Sequence, residues 1–375
     1  MQYLRTVLIA AVCASCGICS LTHPNARSSE ADPVGWQQTA NPSPAHEWVR
    51  GNLNSHQPVW GLRGGLVFGI QPSGTSKKAG GPRGLIGIGY PVLDHEEHDL
   101  INFIAVEPVV QGRKGFSELE SSRLDGVPGK RIWASAKLGE VQSEMSVEPG
   151  KLTQPMAGVE QLEVVLHVER FDNGAHVSLV VRQRSDAPDE IQITVHQEPD
   201  SAPMEYCILT ATMGNKARAR LLWLKDEVLT SQRLYPEYRE PGFAPHSIFP
   251  LKRLRRTADG GVLVAITTDE QNPAAVFPFP GTRHWYYGGA KVTQYWRKPA
   301  KTFGDELCAA VNARYTYWQS RQPIPGGIAF ENFELREPFA DGKCFIFGIT
   351  RRTPAELSKE FDLRTCGVRT IVPKR

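Results

Sequence analysis

Several signatures of familiar chemistry are missing from this 375-residue chain. There is no Gly-x-Ser-x-Gly elbow, which excludes a hydrolase built on that nucleophile turn. There is no phosphate loop. "GLIGIGYPV" has the glycines of a dinucleotide-binding turn, but Val92 stands where Gly or Ala is needed and a loop follows instead of a helix. Beyond residue 20 there is no Cys-x-x-Cys, which argues against a zinc knuckle or redox pair. No apolar run reaches the ~20 residues that cross a bilayer as a helix, so no transmembrane helix is expected. Charge of either sign is in small excess only: 43 basic against 40 acidic residues, net +3. The one basic run is Lys252, Arg253, Arg255 and Arg256 in "LKRLRRTADGG". It is too narrow for a nucleic-acid face and reads as a solvated strand end, so no nucleic-acid partner is expected.

What is present begins with an address. "MQYLR" is a short basic segment and "TVLIAAVCAS" an apolar stretch of signal-peptide length, so residues 1–20 are expected to direct export. The expected destination is the periplasm, the cell envelope or the exterior. "VCASC" resembles a bacterial lipoprotein box in which Cys16 would carry the lipid anchor, with Cys13 where such boxes prefer leucine. Residues 21–45 are rich in Ser, Pro and Asn and read as a disordered tether. Four cysteines follow: Cys207, Cys308, Cys344 and Cys366. They allow two bridges in three ways, and only Cys344 and Cys366 are close in sequence.

Residues 46–375 are expected to form one domain. Short alternating runs broken by Gly, Pro, Asn and Asp predict an all-β fold, a large antiparallel β-sandwich with two short peripheral helices. "LEVVLHVERFDNGAHVSLVVRQR" is the clearest hairpin, turning at Asp172-Asn173-Gly174. Leu162, Val164, Leu166 and Val168 share its core face; Glu163, His167 and Glu169 share the other, expected to be wet or ligand-facing. One helix is predicted in "FGDELCAAVNARYTYWQS", with Leu307, Val311, Tyr315 and Trp318 on its buried stripe. The other is "TPAELSKEF", where Thr353 caps, Pro354 opens and Glu356 completes the capping box.

Long wet-faced hairpins followed by aromatic loops, and the closing "ENFELREPFADGKCFIFGIT", resemble the galactose mutarotase-like supersandwich over most of residues 46–350. That fold is shared by aldose epimerases and by domains of many polysaccharide lyases and glycoside hydrolases. The chain is also similar to exported bacterial proteins of unassigned activity. No catalytic motif of the family is matched residue by residue, so the resemblance implies a fold and a ligand class, carbohydrate. Any catalysis would be epimerase-, lyase- or glycoside hydrolase-like.

The candidate site residues lie in three stretches. In "RHWYYGGAKVTQYWR", Arg283, His284, Trp285, Tyr286 and Tyr287 sit in a loop bounded by Pro and Gly, and Tyr295 lies on the strand that follows. Aromatic rings beside polar groups suit the C–H faces and hydroxyls of sugars. On that strand Val292, Gln294 and Trp296 oppose Thr293, Tyr295 and Arg297, and both faces are not expected to be dry. The long loop "RLYPEYREPGFAPHSIFP" offers Tyr238 and Arg239 for binding, and Glu237 and His246 for acid/base work. "DHEEHD" makes Asp94, His95 and His98 weak metal candidates at a hairpin tip; no cofactor is expected. Glu107 in the apolar run "FIAVEPVV" must be paired, hydrogen-bonded or at a pocket wall, and is the third acid/base candidate. Glu331 and Glu334, three apart on a strand, are expected on opposite faces and unable to pair. The alternative to a sugar cleft is a non-catalytic envelope protein whose aromatic loops dock a protein partner.

Overall fold

The computed structural model describes residues 47–51, 58–71, 83–91, 98–139, 147–212, 219–268, 292–317, 321–324 and 326–361. Residues 1–45 with Cys16, the stretch from Asp94 to Glu97, the aromatic loop Arg283–Tyr287, Trp318 and Cys366 lie outside the described residues.

The first third of the chain contributes β1 (Trp48–Val49), β2 (Val59–Leu62), β3 (Val67–Gly69), β4 (Leu85–Pro91), β5 (His98–Val110), β6 (Arg113–Lys114) and β7 (Ile132–Ser135). The middle contributes β8 (Lys151–Met156), β9 (Val159–Val168), β10 (Val177–Arg184), β11 (Glu190–Gln197), β12 (Tyr206–Thr212), β13 (Leu221–Trp223) and β14 (Val228–Thr230). After a one-turn helix α1 (Ser231–Leu234) come β15 (Ser247–Pro250), β16 (Arg255–Arg256), β17 (Val262–Thr267) and β18 (Thr293–Lys298). The chain then forms β19 (Cys308–Arg314), β20 (Ala329–Arg336), β21 (Lys343–Thr350) and helix α2 (Pro354–Glu360).

These strands make two antiparallel sheets packed as a sandwich, as the alternation predicts. Among the described residues the first has ten strands in the order β1-β2-β3-β4-β5-β12-β20-β19-β15, with β6 on β5. The second has eleven in the order β14-β13-β17-β18-β21-β11-β10-β9-β7, with β16 on β17 and β8 on β9. Their facing sides form one continuous core. Ile104, Val106, Leu209, Phe333 and Leu335 come from the first sheet; Leu162, Val164, Ile193, Val264 and Phe347 come from the second. Trp296 ties the layers together: its ring lies 4.7 Å from that of Phe347 and its Nε1 donates to Phe333 O at 2.8 Å.

The β9–β10 hairpin keeps its predicted core face, with Leu162, Val164, Leu166 and Val168 fully buried. Its turn holds Gly174 at φ 92° and is wider than a two-residue connection, because pairing stops at Val168↔Val177. The opposite face departs from expectation. His167 is sealed, stacked on Trp133 and bonded to Ser135 Oγ at 2.7 Å and Ser178 Oγ at 2.5 Å. Glu169 accepts from the backbone N–H groups of Arg123 and Arg131, so the loop carrying them covers this end of the sheet.

Residues 308–314 also correct the sequence reading: they form β19 and not a helix. Ala309, Val311 and Ala313 point into the core and Asn312 points out, a period of two that the Ala-rich composition masks. Pairing with β15 and β20 outweighs helix propensity there. Helix α2 does form as predicted. Thr353 Oγ1 accepts from Glu356 N at 3.3 Å, and Thr353 N donates to Glu356 Oε2 at 2.7 Å.

Both faces of β18 are dry, contrary to expectation. Tyr295 is buried on the outer face among Leu263, Ala265 and Leu357, because α2 and Phe361 cover that side of the second sheet. Its hydroxyl donates to Glu190 Oε1 at 2.9 Å, and Arg297 pairs with the same carboxylate. The basic run is likewise less solvated than expected. Arg255 is buried with its guanidinium 5.9 Å from the Trp223 ring, and Arg253 pairs with Glu227. Cys207, Cys308 and Cys344 are free thiols.

A Cβ at Gly348 would fall 2.1 Å from Tyr295 Cζ. Gly348→Ala should therefore force the sealed ring from its bond to Glu190 and lower stability by roughly 1–3 kcal/mol, the usual range for overpacking. Urea unfolding measures this, and an unchanged midpoint would show that the ring does not rest on Gly348.

Candidate functional site

Among the described residues, the outer face of the first sheet carries a cleft of ≈ 870 Å³. That volume lies within the range of small-ligand sites. The floor comes from alternate residues of four adjacent strands: Phe103, Glu107 and Val109 of β5, Tyr206, Ile208 and Thr212 of β12, Asn332 and Arg336 of β20, and Cys308 and Asn312 of β19. Residues 112–119 and 128 wall one side, and residues 243–248 wall the other.

Each polar group has a local reason for its position. The β5–β6 hairpin turns through Gln111 and Gly112, both at positive φ (50° and 70°), the pattern of a two-residue primed turn. That turn brings the Lys114 ammonium back beside the Glu107 carboxyl. The chain then runs on along β5, Gly115 N donating to Pro108 O at 2.8 Å and Ser117 N to Val106 O at 3.1 Å, and is held by buried cations. Fully buried Lys130 reaches Glu120 at 3.2 Å and Asp172 at 3.0 Å, and buried Arg83 pairs with Asp125 at 2.9 Å.

On β20 the register against β19 slips by one residue between Val311↔Phe333 and Ala313↔Phe330. This β-bulge makes Glu331 and Asn332 both face the cleft while Phe330 and Phe333 both face the core. The backbone N–H of Asn332, freed from the ladder, donates to Asn312 Oδ1 at 2.9 Å. The bulge overturns the parity argument made from the sequence. Glu334 lies on the same face as Glu331, since Asn332, Glu334 and Arg336 alternate with Phe333 and Leu335.

Glu334 is fully buried. Its Oε1 accepts from Arg336 Nε at 2.6 Å and lies 3.7 Å from His246 Nε2, beyond hydrogen-bond range. Among the described residues, five buried polar atoms around this cleft have no hydrogen-bond partner within the protein: Glu107 Oε2, which lies beside the Lys114 ammonium, Glu118 Oε2, Thr210 Oγ1, His246 Nε2 and Glu334 Oε2. Burying such atoms unpaired is costly, and their clustering on one surface marks where a polar ligand would be held.

Electrostatics divides the roles. Burial pushes the Glu107 carboxyl up to about 8; the charges of Glu334 and Glu118 push the same way and Lys114 opposes them. Glu118 and Glu331 are also raised, chiefly by burial, with Arg314 opposing for Glu331. Burial lowers His246, with Arg336 and Lys114 adding to the effect and Glu334 opposing it. At neutral pH the floor therefore presents a protonated acid and an unprotonated imidazole.

Of the residues expected from sequence, Glu107 and His246 come together in this cleft. Glu237 is exposed and not among the lining residues. Tyr238 packs partly against the core, and Arg239 lies over the Tyr315 ring at 5.1 Å. Tyr295 is sealed under α2 on the other sheet. Arg283, His284, Trp285, Tyr286, Tyr287, Asp94 and His95 lie outside the described residues, and of His98 only the backbone, pairing with Pro91, is described. The sequence reading missed Lys114, Glu118, Thr210, Asn312, Asn332 and Arg336 as site residues. The alternation Asn332, Glu334, Arg336 against Phe333, Leu335 was the available signal.

No protein-family model matches the chain, and no curated protein matches it. Among solved structures it is similar to the galactosidase domain of alpha-galactosidase-sucrose kinase, AgaSK. The identity is 10% and the TM-score 0.36, covering 84% of this chain and 43% of that one. The chain thus spans less than half the length of that structure, and a likeness at this level places no residue of one on a residue of the other. Among the described residues no helix is long and apolar enough to cross a membrane.

Folded Glu107 keeps its proton to about pH 8, whereas the ordinary side chain loses it near 4.5. Between those values the folded state binds more protons than the unfolded one, so this group's contribution to stability falls as pH rises through the window. Glu107→Gln removes that titration. The stability of the variant relative to wild type should climb between about pH 5 and pH 8, measured by urea unfolding across the range. A difference that stays flat would mean Glu107 is ionised in the fold throughout.

Proposed function

We propose that the chain is an exported carbohydrate-processing protein whose substrate lies along the outer face of the first sheet. The observation that carries the reading is the meeting of Glu107 on the floor and His246 on the wall of one cleft, with opposite protonation habits. A pair whose environments push the groups apart supplies an acid and a base at one pH. Glu107 would donate a proton to a sugar oxygen. His246, its Nε2 free of hydrogen bonds, would accept one. Glu334, anchored by Arg336, would hold substrate hydroxyls together with Asn332 and Thr210. Arg283, His284, Trp285, Tyr286 and Tyr287 are proposed to add a stacking surface for further sugar units. The expected family resemblance supports this ligand class, and export rests on the signal-like residues 1–20. Proton transfer of this kind serves epimerase, lyase and hydrolase chemistry alike.

The test is to incubate the purified protein with a panel of polysaccharides and reducing sugars and to follow bond cleavage and anomer exchange. An active member of the panel should show a bell-shaped pH profile. Its alkaline limb would fall near pH 8 as Glu107 loses its proton, and its acid limb below the ordinary histidine range. Glu107→Gln and His246→Ala should each lower the rate by roughly 10²–10⁴. Full activity in both variants would remove this reading, as would a panel without any turnover or binding.

A further inference from the structure

Resting on the saccharide reading of the cleft, we infer that its ligand is an amphiphile: a sugar carrying an apolar aglycone that lies on a hydrophobic shelf at the β15 edge. The pairing registers run Thr210↔Glu334, Glu334↔Ala310 and Ala310↔Ile248, so these four residues form one row across the sheet's outer face. Polar chemistry stops at Glu334. Ala310 is small and offers no polar group, and Ile248 stands 58% exposed beyond it. Phe243, 40% exposed, lines the same end of the cleft.

This is a concentration, not a scatter. Of eight exposed large hydrophobic residues among the described residues, Leu119, Tyr206, Phe243 and Ile248 line this single cleft. Exposed apolar surface gathered at the mouth of a site marks what the site binds. Aromatic rings can lie on the C–H face of a pyranose, so Phe243 and Tyr206 alone would be explained by sugar. Branched aliphatic side chains have no flat π-face to offer a sugar, so Ile248 on the shelf and Leu119 on the opposite wall call for hydrocarbon. The width agrees: β15 lies four strands from β5, about 19 Å at ~4.8 Å per strand, which leaves room for a group beyond the sugar that sits over Glu107 and Glu334.

The test is calorimetric titration with methyl, phenyl and octyl glycosides of glucose, galactose, mannose and N-acetylglucosamine, all below their micelle concentrations. A sugarless octyl polyether detergent serves as the control. For the sugar that binds, the phenyl or octyl glycoside should bind at least tenfold more tightly than the methyl glycoside, about 1.4 kcal/mol. Ile248→Ser and Phe243→Ser alter exposed side chains, and their fold is checked by circular dichroism. Each should erase most of that gain. Equal affinity for methyl and octyl glycosides would overturn the shelf while leaving the saccharide site standing. So would a gain that survives both substitutions. Detergent bound as tightly as the octyl glycoside would overturn the saccharide reading and this inference with it, and so would a panel in which nothing binds.

Discussion

Glu107 and Glu334 lie on the same face of the first sheet, both out of contact with bulk water, and the charge of Glu334 adds to burial in holding the Glu107 carboxyl up. The fold sets a cation beside each: Lys114 beside Glu107 and Arg336 beside Glu334. Much of the architecture around the cleft follows from that placement. The Gln111–Gly112 turn exists at a backbone angle that Gln adopts reluctantly, and its effect is to return Lys114 to Glu107. The small Thr210 between their strands keeps room above the carboxylates, and the bulge at Glu331–Asn332 adds a third acid to the same face, balanced by Arg314.

The two sheets treat their outer faces differently, and this decides where chemistry can occur. On the second sheet, α2 and Phe361 close over Tyr295, the Glu190–Arg297 pair fills the polar positions, and His167 and Glu169 are absorbed by the loop carrying Arg123 and Arg131. Tyr295, Glu190, Arg297, His167 and Glu169 all have partners within the protein, so these groups hold the fold together. On the first sheet the covering segment stops at the margin and is held by Lys130 and Arg83, two cations buried completely under it. A wall anchored by buried ion pairs is fixed in place, since breaking either pair would strand a charge in the interior. The result is a frame along one side of the cleft.

How far these features were legible depends on the range of interaction that produces them. Local chemistry read well: the Thr353–Glu356 box, the turn at Gly174, and the strands whose alternation is clean, such as β9 and β21. Glu107 and His246 were legible because each breaks the character of its surroundings, a carboxylate in an apolar strand and an imidazole in a loop entering an edge strand. Residues 308–314 were misread because alanine is a good helix former and only the neighbouring strands make them β. The bulge was not legible at all. It is a mismatch between β19 and β20, so no single-strand parity rule applied to Glu331 and Glu334 could contain it. The dryness of both faces of β18 failed for the same reason, since the cover over Tyr295 arrives from a helix about sixty residues later in the chain.

Burial moves the acid and the base in opposite directions, upward for Glu107 and downward for His246, because in each case it penalises the charged form. One cause therefore acts on both groups, and under the proposed reading it leaves the donor protonated and the acceptor without a proton. It also couples the chemistry to the apolar rim. Water admitted to the floor would stabilise the carboxylate and the imidazolium together, lowering one group and raising the other until the distinction between them faded. Leu119, Phe243 and Ile248 stand where an occupant would shut that water out. A ligand that covers them deepens the desolvation on which the Glu107–His246 pair relies, so the hydrophobic margin and the polar floor act as parts of one site.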